Sequence, residues 1–146
     1  MSDEMDAMSG LEKARALLAA GGRPPIGHTL DFAAVEVGDG RAVFEGVPGE
    51  HAYNPMGTVH GGYAATLLDS ACGIATLTKL APDQGFTTLE LKVAYHRPMS
   101  ADTGTVRAEG VVLSFGRRVA FVEAKLTDAD GRLLASATST LLVMQQ

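Results

Sequence analysis

Residues 62–80 form the one long stretch of this chain with helical periodicity, because Ala64, Leu67, Leu68, Ala71 and Ala75 recur at three- and four-residue spacing. A helix this apolar has to be buried, so the rest of the chain must supply its cover. Both flanks are written in the period of strands. Upstream, "TLDFAAVEVGDGRAVFEGVP" reads as two strands around the turn Gly38-Asp39-Gly40. Downstream, Leu89, Leu91, Val93 and Tyr95 alternate with Thr88, Glu90, Lys92 and Ala94 until Pro98. Three further runs follow, "TVRAEGVVLSF", "RVAFVEAKLTD" and "RLLASATSTLLVM", broken at Gly116 and at Asp130-Gly131. Two strands, a central helix and four strands predict an α+β fold, with an antiparallel sheet wrapped around one long helix.

With 146 residues, 46% of them hydrophobic, the chain has the size of one domain that can bury a core without metal or disulfide support. "LEKARALLAA" (11–20) predicts a short helix that stops at Gly21-Gly22, ahead of Pro24-Pro25. Residues 1–24 are therefore expected as a helical extension, and residues 25–146 as the domain. The N-terminus is acidic where a signal peptide is basic and then apolar, no run reaches the roughly 20 residues of a membrane span, and the single cysteine suits a reducing compartment. The expected location is cytoplasmic, with no membrane partner. Net charge is −5, and residues 1–50 hold 4 Lys/Arg against 9 Asp/Glu. Such a chain is not expected to bind nucleic acid, which requires a basic surface.

One carboxylate interrupts the apolar helix. Gly62, Thr66, Asp69, Gly73 and Thr76 share a stripe, and every neighbour of Asp69 on it is small or hydroxylated. A mid-helix Asp among such residues needs a reason beyond packing, since it is a poor helix former and costly to bury unpaired. Gly61 and Gly62 stand where the helix begins, and the first N–H groups of a helix lack internal acceptors and carry its positive dipole end. If Gly61 polarises a carbonyl that Asp69 attacks, or toward which it activates water, both must reach the same atoms. Eight residues of helix separate them by about 12 Å. Two copies packed antiparallel about a twofold would bring Asp69 of one beside Gly61 of the other, so this chemistry calls for a dimer.

Other chemistries find less support in the sequence. His28, His51, His60 and His96 have no metal-ligand spacing, and no metal site is expected. Cys72 lies one turn from Asp69, whose charge disfavours a thiolate. Ser114 lacks the G-x-S-x-G elbow of a serine hydrolase, and Gly38-Asp39-Gly40 lacks the setting of a nucleotide loop, so no cofactor is expected. Arg97, Arg117 and Arg118, at strand ends and beside Gly116, are candidates for binding phosphates.

Asn54, then "HGG" (60–62), then Asp69 nine residues after His60, then "TTLELKVAYHRP" (87–98), together resemble the hotdog-fold acyl-CoA thioesterases of the PaaI-like (phenylacetate-pathway) group. The likeness spans about residues 25–144. It implies a sheet wrapped around a long helix, dimers whose sheets join, and homotetramers built from two dimers. By position it implies that Asp69 is the catalytic acid, as nucleophile or general base, and that the Gly61 N–H holds the thioester oxygen. It assigns Asn54 to orienting thioester or water, Thr88 to positioning water, and His60 to ordering the turn. Gly62, Arg97, Gly116, Arg117 and Arg118 are the expected contacts to substrate and coenzyme A, which is part of the substrate. An Asp at 69, with Gly73 one turn beyond, matches the PaaI and human branch. A hydratase is disfavoured because Asn54-Pro55 has no Asp two residues before it, whereas a non-catalytic acyl-CoA-binding or regulatory domain stays open. The acyl group is not specified, and Met56, Tyr63 and Phe86 are candidates either to line its pocket or to pack in the core or an interface.

Overall fold

A computed structural model describes residues 2–146. The chain opens with α1 (Ser2–Ala7), α2 (Gly10–Ala19) and α3 (Pro25–Leu30). A hairpin, β1 (Phe32–Gly38) and β2 (Arg41–Gly46), leads through a 3-10 turn (Glu50–Ala52) into the central helix α4 (Gly61–Leu77). Then come β3 (Gln84–Tyr95), β4 (Val106–Phe115), β5 (Val119–Thr127) and β6 (Leu133–Gln145). All six strands form one antiparallel sheet in the order β1-β2-β4-β5-β6-β3. The fold is therefore the expected helix wrapped by a sheet.

The helix sits on one face of the sheet, which is why the strands alternate inward apolar with outward polar residues. Leu67, Leu68, Ala71 and Ala75 of α4 are fully buried against a floor of small residues, among them Ala42, Ala108, Ala120 and Ala124. Gly110 marks the closest crossing, because a Cβ there would lie 2.5 Å from the Ala71 carbonyl oxygen. On the solvent face Arg41 pairs with Glu109 (2.6 Å) and Glu36 (3.7 Å), while Arg107 pairs with Glu36 and Glu45.

The second N-terminal helix, α2, packs directly onto the domain. Ala14 of α2 is fully buried, and the Gly10 N–H donates to the Leu80 carbonyl at 2.9 Å. Only glycine permits that seat, since a Cβ on Gly10 would stand 1.7 Å from the Leu77 oxygen. The central helix stops at Leu77, three residues short of the sequence reading, and two other details differ from it. β3 begins at Gln84 and α3 forms at Pro25, where proline at the first helical position pre-sets φ.

Candidate active site

The stripe on α4 faces β3, and the two elements meet in three rungs. At the helix start the Tyr95 hydroxyl donates to the Gly61 carbonyl at 2.7 Å. Two turns on, the Thr88 hydroxyl donates to Asp69 Oδ1 at 3.0 Å. One turn further, the Phe86 ring lies on Gly73, where a Cβ would be 3.1 Å from the ring. Sequence alternation places Phe86, Thr88 and Tyr95 on a common face only because a bulge between Thr88 and Glu90 resets the pleat.

Each glycine of "HGG" has a packing reason. A Cβ on Gly61 would press on the Tyr95 ring at 3.2 Å, and one on Gly62 would meet the His60 ring at 2.9 Å. His60 is the N-cap of α4, and its Nδ1 accepts the Gly62 N–H at 2.7 Å. That nitrogen carries no proton, so the ring proton sits on Nε2. Tyr63 N–H turns back to the His60 carbonyl at 3.0 Å. Of the first three N–H groups of the helix, Gly61's alone lacks an acceptor among the described residues. The donor expected to hold a thioester oxygen is therefore free, while Gly62, expected to contact substrate, has its N–H on His60 Nδ1 and its carbonyl accepting the Thr66 hydroxyl. His60→Ala is expected to cost about 1 kcal/mol of stability and His60→Ser to retain most of it, as read from urea unfolding midpoints. Equal midpoints for His60→Ala and the unmodified protein would remove the capping role.

Asn54 is occupied in its own turn. Its Oδ1 accepts from Met56 N–H (2.9 Å) and Thr58 N–H (3.2 Å), and its Nδ2 donates to Thr58 Oγ1 (2.9 Å). One amide hydrogen remains for a substrate. This turn, with Gly57 at φ 86°, holds the approach to the helix, and Met56 at its tip is 83% exposed.

Tyr63 does not line a pocket. It is buried in the core, its hydroxyl has no partner among the described residues, and burial together with the Asp31 charge pushes its pKa up to about 12. Cys72 is also fully buried, and burial, then the Asp69 charge, holds its thiol up at about 12, far from a thiolate at neutral pH.

Arg97 shares a groove of about 300 Å³ with Gly61, Tyr95 and Met99. Gly116, Arg117 and Arg118 line a second groove of about 770 Å³ at the β4–β5 turn, together with Phe121 and Leu142. Among the described residues these three arginines pair with no carboxylate, whereas Arg41 and Arg107 are taken up on the outer face. The grooves are well apart in one chain. The Arg118 carbonyl accepts the N–H of Val143, which stands opposite Phe86, and Phe86 rests on Gly73, about 18 Å along α4 from Gly61.

The sequence model of the family described as "Thioesterase superfamily" matches residues 56–135, over half of the chain and nearly the whole span from the Asn54 turn to β6. This chain belongs to the thioesterase superfamily. The superfamily chain is 30% identical to human acyl-coenzyme A thioesterase 13 over 109 residues, covering 73% of this chain and 75% of the human one. It is 27% identical to the 1,4-dihydroxy-2-naphthoyl-CoA hydrolase of Listeria monocytogenes over 119 residues, covering 82% and 95%. Among solved structures, a point mutant of the phenylacetic acid degradation protein PaaI from Thermus thermophilus superposes with a TM-score of 0.74 at 28% identity, covering 82% and 98%. The sheet around α4 is the hotdog fold of this superfamily. Among the described residues no helix is long and apolar enough to cross a membrane.

Proposed function

We propose that this chain hydrolyses acyl-CoA thioesters, with aryl or medium-chain acyl groups, to the free acid and coenzyme A. One observation carries the reading: on a stripe otherwise built of small residues, the Asp69 carboxylate is held by the Thr88 hydroxyl, and the start of the same helix keeps one unpaired donor, the Gly61 N–H. Thr88 engages Oδ1, which leaves Oδ2 as the reacting oxygen. Asp69 either attacks the thioester carbon, forming an anhydride that water then opens, or takes a proton from water as that water attacks. Gly61 N–H meets the charge that develops on the carbonyl oxygen, and the departing thiolate leaves as the thiol after taking up a proton. His60 fixes the helix start, and Asn54 keeps one N–H toward the thioester or water.

The reading takes the protein to be at least a homodimer, assembled further as a homotetramer. β3 is a 12-residue edge strand without proline, with Leu89 and Tyr95 exposed, and a free edge of that length favours pairing. Antiparallel pairing of two β3 edges would place Asp69 near Gly61 of the partner subunit and bring the partner's Arg117 and Arg118 toward that site, to bind coenzyme A phosphates with Arg97. The relatives named for acyl-coenzyme A and naphthoyl-CoA substrates support the substrate class. A panel of aryl- and alkyl-CoAs with thiol detection tests it. Release of free thiol from at least one member is expected, and tight binding without release would leave an acyl-CoA-binding domain instead.

A further inference from the structure

The free N–H at the start of α4 belongs to a glycine pair, so its direction has to be fixed from outside. Gly61 and Gly62 carry no Cβ to restrict the backbone, and glycine is the most permissive of residues. The surrounding polar groups are nevertheless tied down. Val59 N–H donates to the Met99 carbonyl at 3.0 Å, and His60 N–H donates to the Ala52 carbonyl at 2.7 Å. The Gly61 N–H shares a rigid peptide plane with the His60 carbonyl, which accepts Tyr63 N–H at 3.0 Å. The next plane holds the Gly61 carbonyl and the Gly62 N–H. Its N–H is taken by His60 Nδ1 at 2.7 Å, and its carbonyl accepts from the Tyr95 hydroxyl, also at 2.7 Å. The Tyr95 ring lies along the Gly61 Cα, where a Cβ would be 3.2 Å from Cζ and Oη.

We propose that Tyr95 is a positioning residue for the hydrolysis: by holding the Gly61 carbonyl it fixes where the Gly61 N–H points. The inference rests on the thioesterase reading. Tyr95 is not itself a donor to substrate, because its one O–H is spent on the carbonyl. Its effect passes through the two torsions at Gly61, which join the plane held by Tyr63 N–H to the plane held by Tyr95 and His60. With both planes tied, those torsions are fixed although the residue is glycine. Without the hydroxyl, the second plane keeps a tie at one end only. A donor to a developing oxyanion works by being aimed before the reaction starts, so loss of that tie weakens it without removing it. Tyr95 also lines the groove that Gly61 opens into, beside Arg97. A side chain more than half exposed gains little there from burial, so the hydroxyl is what distinguishes it from phenylalanine.

Tyr95→Phe keeps the ring and removes only the hydroxyl, and circular dichroism confirms its fold. On the best acyl-CoA, kcat is expected to fall about tenfold with KM nearly unchanged, since the donor is needed most as charge develops on the oxygen. Nitrogen-15 relaxation of the Gly61 amide reads the same effect without turnover. Its order parameter is expected to drop from the rigid range near about 0.85 toward about 0.6 in Tyr95→Phe. An unchanged kcat overturns the proposal, as does a rise in KM at constant kcat. A fall in kcat with the Gly61 amide as rigid as before also overturns it, because Tyr95 would then act on substrate directly. If the unmodified protein releases thiol from no acyl-CoA, the hydrolase reading falls, and the hold of Tyr95 on Gly61 stands or falls on the relaxation alone.

Discussion

Asp69→Asn and Asp69→Ala each lower acyl-CoA turnover by about 10²-fold or more while the protein stays folded. The structure gives grounds for both halves of that expectation. The carboxylate makes one hydrogen bond, to Thr88, and takes part in no ion pair among the described residues, so its loss leaves no buried cation unpaired. Asparagine fills the same volume and can still accept from Thr88, but it can neither attack a thioester nor take a proton from water. Thr88→Ala removes a hydrogen bond to a charged group and should slow turnover by roughly tenfold to a hundredfold, less than the Asp69 changes. Asn54→Ala should also fall short of them, with part of its effect arising through the turn that it closes. Turnover on the best acyl-CoA, alongside circular dichroism, decides the matter. Near-normal activity in Asp69→Ala would end the proposed mechanism, and equal losses in all three variants would indicate a collapsed site.

The second large effect is expected at Gly61, and there the local geometry makes proline an unusually clean probe. Gly61 is the first residue of α4, where proline is accepted because its missing N–H has no helical partner. His60 already has φ −60° and ψ 137°, the extended conformation that a following proline demands. The ring must displace Tyr95, which is 55% exposed and can yield. Gly61→Pro thus deletes the donor and shifts the Tyr95 ring that bonds the Gly61 carbonyl, and losing such a donor should cost about 10²–10³-fold in turnover, beyond the loss in a Tyr95→Phe control. Mixed with Asp69→Ala subunits, it should recover activity. In a random one-to-one mixture half of the dimers are mixed and each has one intact site, so recovery approaches about a quarter of normal activity. The expected site pairs Asp69 with Gly61 of the partner subunit, which the spacing of about 12 Å on one helix requires. A mixture shown by mass spectrometry to exchange subunits, yet still inactive, would refute the shared site, as would a fully active monomer.

The sequence by itself determined the elements whose signals are local. The 3.6-residue recurrence of Ala64, Leu67, Leu68, Ala71 and Ala75 marks α4, the alternation around Leu91 and Val93 marks β3, and Gly38-Asp39-Gly40 and Asp130-Gly131 mark turns. It also singled out Asp69 and Gly61, because a carboxylate in an apolar helix and paired glycines at its start are anomalies visible without coordinates. Tertiary structure alone decided what stands beside them. Strand order is set by which faces and edges can be buried together, so β3 leaves its chain neighbour β4 and lies at the far edge beside β6. The bulge after Thr88, a one-residue slip invisible in the alternation, turns Phe86 and Thr88 toward the helix. Tyr63, by type a candidate to hold an aryl group, goes into the core, whereas Phe86 comes to rest on Gly73. Arg117 and Arg118 end near Phe86, about 18 Å along α4 from Gly61 within one chain. Periodicity reports how a residue faces its own element, while the partners it meets depend on contacts between residues far apart in sequence, and those are chosen only when the whole core packs at once.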